Sequence, residues 1–104
     1  MKVFYINPDL QKYILSFDKP TISKLTRLTE LLARFGKNLG MPYSKKILNN
    51  LFELRIRGRQ EVHLFYCFYK NMIVFVHAII KKTQKTPPRD LKTAITKIKQ
   101  LTGI

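Results

Sequence analysis

LFELRIRGRQEVHLFYCFYKNMIVFVHAII, residues 51–80, sets the architecture of this chain. It holds three β-branched and aromatic runs divided by two short turn signals. Leu51–Arg57 is followed by Gly58-Arg59, Glu61–Tyr69 by Lys70-Asn71, and Met72–Ile80 closes the stretch. Such runs, punctuated this way, predict an antiparallel meander. In the first run Phe52, Leu54 and Ile56 alternate with Glu53, Arg55 and Arg57, so one face is core and the other charged. Arg55 and Arg57 then project about 6–7 Å apart, near the spacing of adjacent phosphates in single-stranded RNA. Each guanidinium can fork onto phosphate oxygens. The competing reading is a solvated face on which Glu53 pairs with an arginine across strands.

Upstream, Lys2–Ile6 reads as a strand. Asn7-Pro8-Asp9 stops it and starts a helix to about Phe17, with Asn7 as cap and Pro8 in the first turn. Asp18-Lys19-Pro20 repeats the signal. A second helix runs from about Pro20 to Phe35, with Ile22, Leu25, Leu28, Leu31, Leu32 and Phe35 on one face and Gly36 as terminator. Lys37–Asn50, with Gly, Pro, Ser and paired Asn, reads as a loop. Downstream, Thr86-Pro87-Pro88 opens a last helix with Leu91, Ala94, Ile95, Ile98 and Leu101 on its apolar face. The order β-α-α-β-β-β-α segregates helices from strands, which is the α+β class. We expect a single domain, residues 1–104, with a helical hairpin packed on one face of the meander. The helices cover that face and leave the other for a ligand.

At 104 residues and 45% apolar content the chain folds as one unit. Twenty Lys and Arg against six acidic residues give a net charge of +14, a field that draws polyanions. Nucleic acid is the leading partner class, an acidic protein the next, an anionic membrane the third. The lone Cys67 sits in an apolar run and reads as a buried small hydrophobe. No signal-peptide core opens the chain, and no apolar run approaches the ~20 residues needed to span a bilayer. The expected location is cytoplasmic.

Ile80–Pro87, IKKTQKTP, crowds Lys81, Lys82 and Lys85 between a strand and a helix start. Such a turn repels itself unless an anion sits nearby, and the helix start adds free N–H groups. The competing reading is a solvated loop. Two histidines, His63 and His77, lie on the second and third strands. Which face each takes depends on the turns. A three-residue loop Gly58–Gln60 sets Arg55 opposite His63, and a three-residue loop Tyr69–Asn71 sets His63 opposite His77. Two-residue loops flip these relations. Tyr66 or Tyr69 can stack a base if exposed, with core packing as the competing role. No metal-ligand set, Gly-rich phosphate loop or Ser/His/Asp set is legible, and no cofactor is expected. Six scattered acidic residues are too few for a two-metal nuclease. A nuclease here would use the ribose 2′-hydroxyl as nucleophile, with cations stabilising the phosphorane.

The segments LGMPYSKKI, LFELRI, LFYCF and IVFVHAIIKKTQKTPPRDLKTA resemble those of the RelE/ParE toxin superfamily, in its HigB-like, phage-derived branch. The resemblance spans the chain and is strongest over residues 41–94. It implies a RelE-like fold and a toxin of a type II toxin–antitoxin system. Such toxins are metal-independent endoribonucleases that cut mRNA in the ribosomal A site, leaving a 2′,3′-cyclic phosphate. It also implies neutralisation by a cognate antitoxin, in this branch a helix-turn-helix protein, and neither a membrane nor a small-molecule cofactor. The superfamily also contains gyrase inhibitors of ParE type, so a non-catalytic toxin or basic nucleic-acid binder is the alternative. The resemblance carries over Arg55, Arg57, His77, Lys81, Lys82 and Lys85 as the basic residues of the chemistry. The candidate catalytic set is His63, His77, Lys81 and Lys82. The RNA-binding set is Arg55, Arg57, Arg59, Lys85, Lys45 and Lys46. Relatives generally read Arg-x-Phe-Tyr in the central strand, where this chain reads His63-Leu64-Phe65-Tyr66. Cations expected around His63 favour its neutral form. The imidazole is then either the general base or the mark of a weakened toxin.

Overall fold

In the computed structural model, which describes residues 1–81 and 85–103, the chain runs β1 (Lys2–Tyr5), α1 (Pro8–Leu15), α2 (Lys19–Phe35), β2 (Ser44–Leu48), β3 (Leu51–Arg57), β4 (Glu61–Tyr69), β5 (Met72–Lys81) and α3 (Pro88–Thr102). The sheet order is β1-β5-β4-β3-β2. β3, β4 and β5 form the expected antiparallel meander, and β1 adds to β5 in parallel.

Both helix starts follow their caps. The Asn7 side chain accepts from the Leu10 amide and the Asp18 side chain from the Thr21 amide, each at 2.9 Å. Gly36, at φ 55°, ends α2 in a conformation that a side chain would strain.

Residues 37–50, expected to be a loop, contain the edge strand β2. Its few, largely polar residues give no strand periodicity, and tertiary contacts supply the missing stability. The Ser44 hydroxyl bonds the Tyr66 hydroxyl across β3. Asn50, at φ 55°, closes the turn to β3, and its amide both donates to the Phe68 carbonyl and accepts from the Phe68 amide at 3.0 Å.

The expectation that the helices cover one face is corrected for α3. α1 and α2 cover the face formed by Leu54, Ile56, Val62, Leu64, Tyr66, Ile73 and Phe75. α3 packs on the opposite face, where Ala94, Leu91, Ile95 and Ile98 meet Phe65, Cys67, Val74 and Val76. The reason lies in β4, which is apolar at successive positions rather than alternating ones. A strand of that kind must be covered on both sides. Only the part of the second face beyond α3 remains for a ligand.

The turns settle the faces. Gly58–Gln60 is a three-residue connection, so Arg55 lies opposite His63. Lys70-Asn71 is a two-residue turn, with Tyr69 opposite Met72. Continued unbroken, that register would set His77 opposite Leu64 on the α1–α2 face. A bulge intervenes: Tyr66 pairs with Phe75 but Phe65 with His77, leaving Val76 as the extra residue. His77 is thereby returned to the face of His63.

Both turn residues have positive φ, 49° at Lys70 and 61° at Asn71. A lysine is costly there, whereas Asn-Gly suits such a hairpin turn. Replacing the pair by Asn-Gly relieves the left-handed strain, partly offset by the freedom of glycine in the unfolded chain, and is expected to raise the unfolding free energy by about 1 kcal/mol, read by urea denaturation.

Candidate active site

The β3–β4–β5 register lays charged and aromatic side chains in three rows on the α3 side of the sheet. Glu53, Phe65 and His77 form one row, Arg55, His63 and Ile79 the next, and Arg57, Glu61 and Lys81 the third. Lys45 on β2 extends the first row as the partner of Glu53.

Glu53 is the hub. Its side chain is 2% exposed, and both carboxylate oxygens are used. Oε2 takes His63 Nδ1 at 2.9 Å, and Oε1 takes Arg55 Nε at 3.2 Å. Burial alone would raise the Glu53 carboxyl. The His63 hydrogen bond and charge, the Lys81 ammonium and Arg55 outweigh it and hold Glu53 below the usual glutamate value. His63 is 1% exposed. Its second nitrogen, Nε2, lies 3.3 Å from Glu61 Oε2 but without a hydrogen bond's geometry. The charged groups in contact with His63 are therefore carboxylates, where the sequence suggested cations. With Nδ1 bonded to Glu53 and Nε2 buried against Glu61, neither nitrogen opens to the surface.

His77 differs. Its ring stacks on Phe65 at a centroid distance of 6.0 Å, its Nε2 meets Asp90 Oδ1 at 2.8 Å, and the side chain retains 19% exposure. Asp90 comes from the first turn of α3, so the helix packed on this face also supplies the carboxylate that fixes the ring. Three of the chain's six acidic residues thus converge on one face of a protein of charge +14.

The other sequence candidates divide. Arg57 pairs with Glu61 at 3.5 Å, with its side chain 66% exposed. Lys81 lies beside Glu61 and acts on the Glu53 charge. Lys46 alternates away from Lys45, opposite Phe52, and so belongs to the other face. Arg59, in the β3–β4 turn, acts on the Asp18 carboxylate that caps α2. Lys85 is exposed ahead of α3. Lys82, and with it the middle of the IKKTQKTP turn, lies outside the described residues. Tyr66 is buried in the core, and burial raises its hydroxyl. Tyr69 packs at the edge of the α3-side core with the Lys70 ammonium over its ring. Cys67 is buried and its thiol is pushed up to about 11 by desolvation, which leaves it no nucleophilic role. Among the described residues, no three His, Cys, Asp or Glu side chains group to hold a metal ion.

Sequence reasoning missed the three carboxylates as site members. Glu53 was visible as an alternating charge and Glu61 only as the start of a strand, and nothing in their spacing says that both face one histidine. Asp90 carried no signal, because it meets His77 only once α3 packs on that face.

A family model described as Phage derived protein Gp49-like (DUF891) matches residues 12–99. Among solved structures, a chain of the YoeB–YefM complex from Staphylococcus aureus aligns with a TM-score of 0.59 at 18% identity, covering 78% of this chain and 97% of the other. A heterotetrameric YoeB–YefM toxin–antitoxin complex from Staphylococcus aureus aligns with a TM-score of 0.54 at 21% identity, covering 72% and 90%. At those identities the likeness is one of fold. Among curated proteins none matches this chain.

Glu53→Ala leaves a buried imidazole and a guanidinium without their anion and is expected to cost about 3 kcal/mol. The pH dependence separates charge from packing. Because the folded pKa of Glu53 is lowered, its ionic contribution is fully present above the ordinary glutamate value of ~4.3 and is lost as pH falls through the folded value. Glu53→Gln should therefore flatten the acid limb of stability in denaturant melts run from neutral pH downward.

Proposed function

The chain belongs to the phage-derived Gp49-like family and has a RelE-like fold, and we propose that it is the toxin of a type II toxin–antitoxin system, cutting mRNA in the ribosomal A site without a metal. The observation that carries this reading is the face built from Glu53, Arg55, His63 and His77. There, cations suited to phosphate lie beside a half-buried histidine held by its own carboxylate.

The chemistry follows from those groups. A base removes the proton of the ribose 2′-hydroxyl, and the freed oxygen attacks the adjacent phosphorus. The bond from phosphorus to the 5′-oxygen breaks, and that oxygen leaves with a proton, giving a 2′,3′-cyclic phosphate and a 5′-hydroxyl. Arg55, with Lys81 and Arg57, stabilises the extra negative charge of the phosphorane. His77 is the proton-transfer residue. With Nε2 engaged by Asp90, the transfer falls to Nδ1, an arrangement in which a carboxylate fixes the ring and its tautomer. His63 acts through Glu53 as a positioning residue that holds Arg55 rather than as the base. Lys82 and Lys85 extend the cationic field after β5, and Lys45 guides the incoming strand.

The antitoxin is the second partner of this reading, a helix-turn-helix protein by the resemblance of the sequence. One of the fold neighbours is a chain of a YoeB–YefM toxin–antitoxin complex, which supports an antitoxin partner.

Primer-extension mapping of translated messages after induction tests the activity. Discrete in-frame ends are expected. His77→Ala should reduce them by about 10²–10⁴-fold and Arg55→Ala by about 10²–10³-fold, with the fold retained by circular dichroism. Intact messages with blocked DNA supercoiling would replace this reading by gyrase inhibition. His63→Arg should leave cleavage near or below that of the parent chain. A large gain would mark the histidine as a lost phosphate contact.

A further inference from the structure

The two carboxylates beside His63 are held in different ways. Glu53 is buried, and each of its oxygens takes a hydrogen bond. Glu61 is 38% exposed and divides its oxygens between two cationic neighbours. Oε1 stands 3.5 Å from Arg57 Nε, and Oε2 stands 3.3 Å from His63 Nε2. Lys81 is its register partner on β5. Charge alone keeps the Glu61 carboxylate there, and an ion pair at that exposure is weak.

His63 Nε2 shows what the position lacks. The atom is buried and has no hydrogen-bond partner, although the ring is 1% exposed and Nδ1 is fixed by Glu53. A buried nitrogen left in that state is costly. The carboxylate that covers it stops short of satisfying it. Arg57, Lys81 and His63 Nε2 thus converge on one small volume whose occupant fits it poorly. On its outer side Arg57 borders a groove of about 810 Å³ between α2 and the β3 edge, so the volume is reached from solvent.

We propose that Glu61 is an internal stand-in for phosphate: its carboxylate fills an anion site built by Arg57, Lys81 and His63 Nε2, and swings out when a phosphodiester enters. A phosphodiester brings the same single negative charge and two free oxygens as the carboxylate it replaces. Its tetrahedral oxygens reach Nε2 and the Arg57 guanidinium together, and hydrogen bonds between ionised groups are the strong ones. The ring then donates from both nitrogens, to Glu53 and to the phosphate. This adds a ligand contact to the positioning role of His63 and gives it no part as a base. Without Glu61 the free chain would hold three like-charged groups side by side in a protein of +14. With it, the face is neutralised until an anion arrives. That the entering phosphate belongs to RNA rests on the nuclease reading, whereas the anion site itself does not.

The test is a titration of the isotope-labelled full chain with inorganic phosphate at fixed ionic strength and without RNA, followed by NMR of the imidazole nitrogens. The His63 Nε2 signal should shift saturably. Glu61→Gln keeps the shape and removes the competing charge, and should tighten phosphate about fivefold. Asp9→Asn makes the same change of net charge on α1, at an exposed position, and should alter binding less than twofold. Arg57→Gln should weaken binding at least about fivefold. Two outcomes overturn the proposal: phosphate that leaves His63 Nε2 unmoved, or a Glu61→Gln chain that binds phosphate no more tightly than Asp9→Asn does. Because no message is cut in this titration, the anion site can stand where the nuclease reading fails, and can fall where cleavage is established.

Discussion

One extra residue in β5, Val76, determines which side of the sheet receives His77. A strand alternates its side chains with period two, so a single unpaired residue exchanges the faces of everything beyond it. Without the bulge His77 would point among Leu64 and its neighbours beneath α1 and α2, and Ala78 would take its place beside Phe65 and His63. With the bulge, the second half of β5 adds its histidine and Lys81 to the face already bearing Arg55 and Glu53. α3 then has a reason to dock where it does. Its apolar stripe covers Phe65, Cys67, Val74 and Val76, and its first turn delivers Asp90 to the ring that the bulge has placed there.

On that face the chain confronts its own charge. A protein of +14 that gathers arginine, lysine and two histidines would repel itself, and burying Glu53 without partners would be worse still. The arrangement answers both problems with the same atoms. One carboxylate accepts from Arg55 and His63 at once, so the guanidinium is anchored in a defined orientation. Anchoring matters because a long cationic side chain otherwise loses rotamer entropy on binding, and a preorganised one has already lost it in folding. The structure therefore distinguishes two kinds of histidine. His63 is bonded to Glu53 through one nitrogen, with the other buried against Glu61 and closed to the surface, whereas His77 is held at one nitrogen and half-open.

Much of the fold was legible because its signals are local. Asn7, Asp18 and Gly36 announced helix ends within a few residues, and LFELRIR, EVHLFYCFY and MIVFVHAII announced strands by composition and spacing. What escaped depends on partners distant in the chain. β2 is strand only because Ser44 reaches Tyr66 and Asn50 reaches Phe68. The bulge at Val76 leaves no mark in a run of β-branched residues that all suit a strand. The candidate site was legible as a list of cations and histidines, since charge is written in the sequence. The carboxylates that organise them were not, because Glu53, Glu61 and Asp90 become site members only through register and helix docking. Lys46 shows the converse. It is as basic as Lys45, yet one residue of alternation sends it to the other face.

The late start of β2 links the two surfaces of the molecule. Had β2 begun two residues earlier, Tyr43 would have joined the ladder and the groove against α2 would have narrowed along the β3 edge. Instead Arg55 marks the end of pairing, bonded through its amide to the Tyr43 carbonyl while its guanidinium reaches Glu53. Arg55 thus lines the groove against α2 while its guanidinium lies on the face shared by Glu53, His63 and His77.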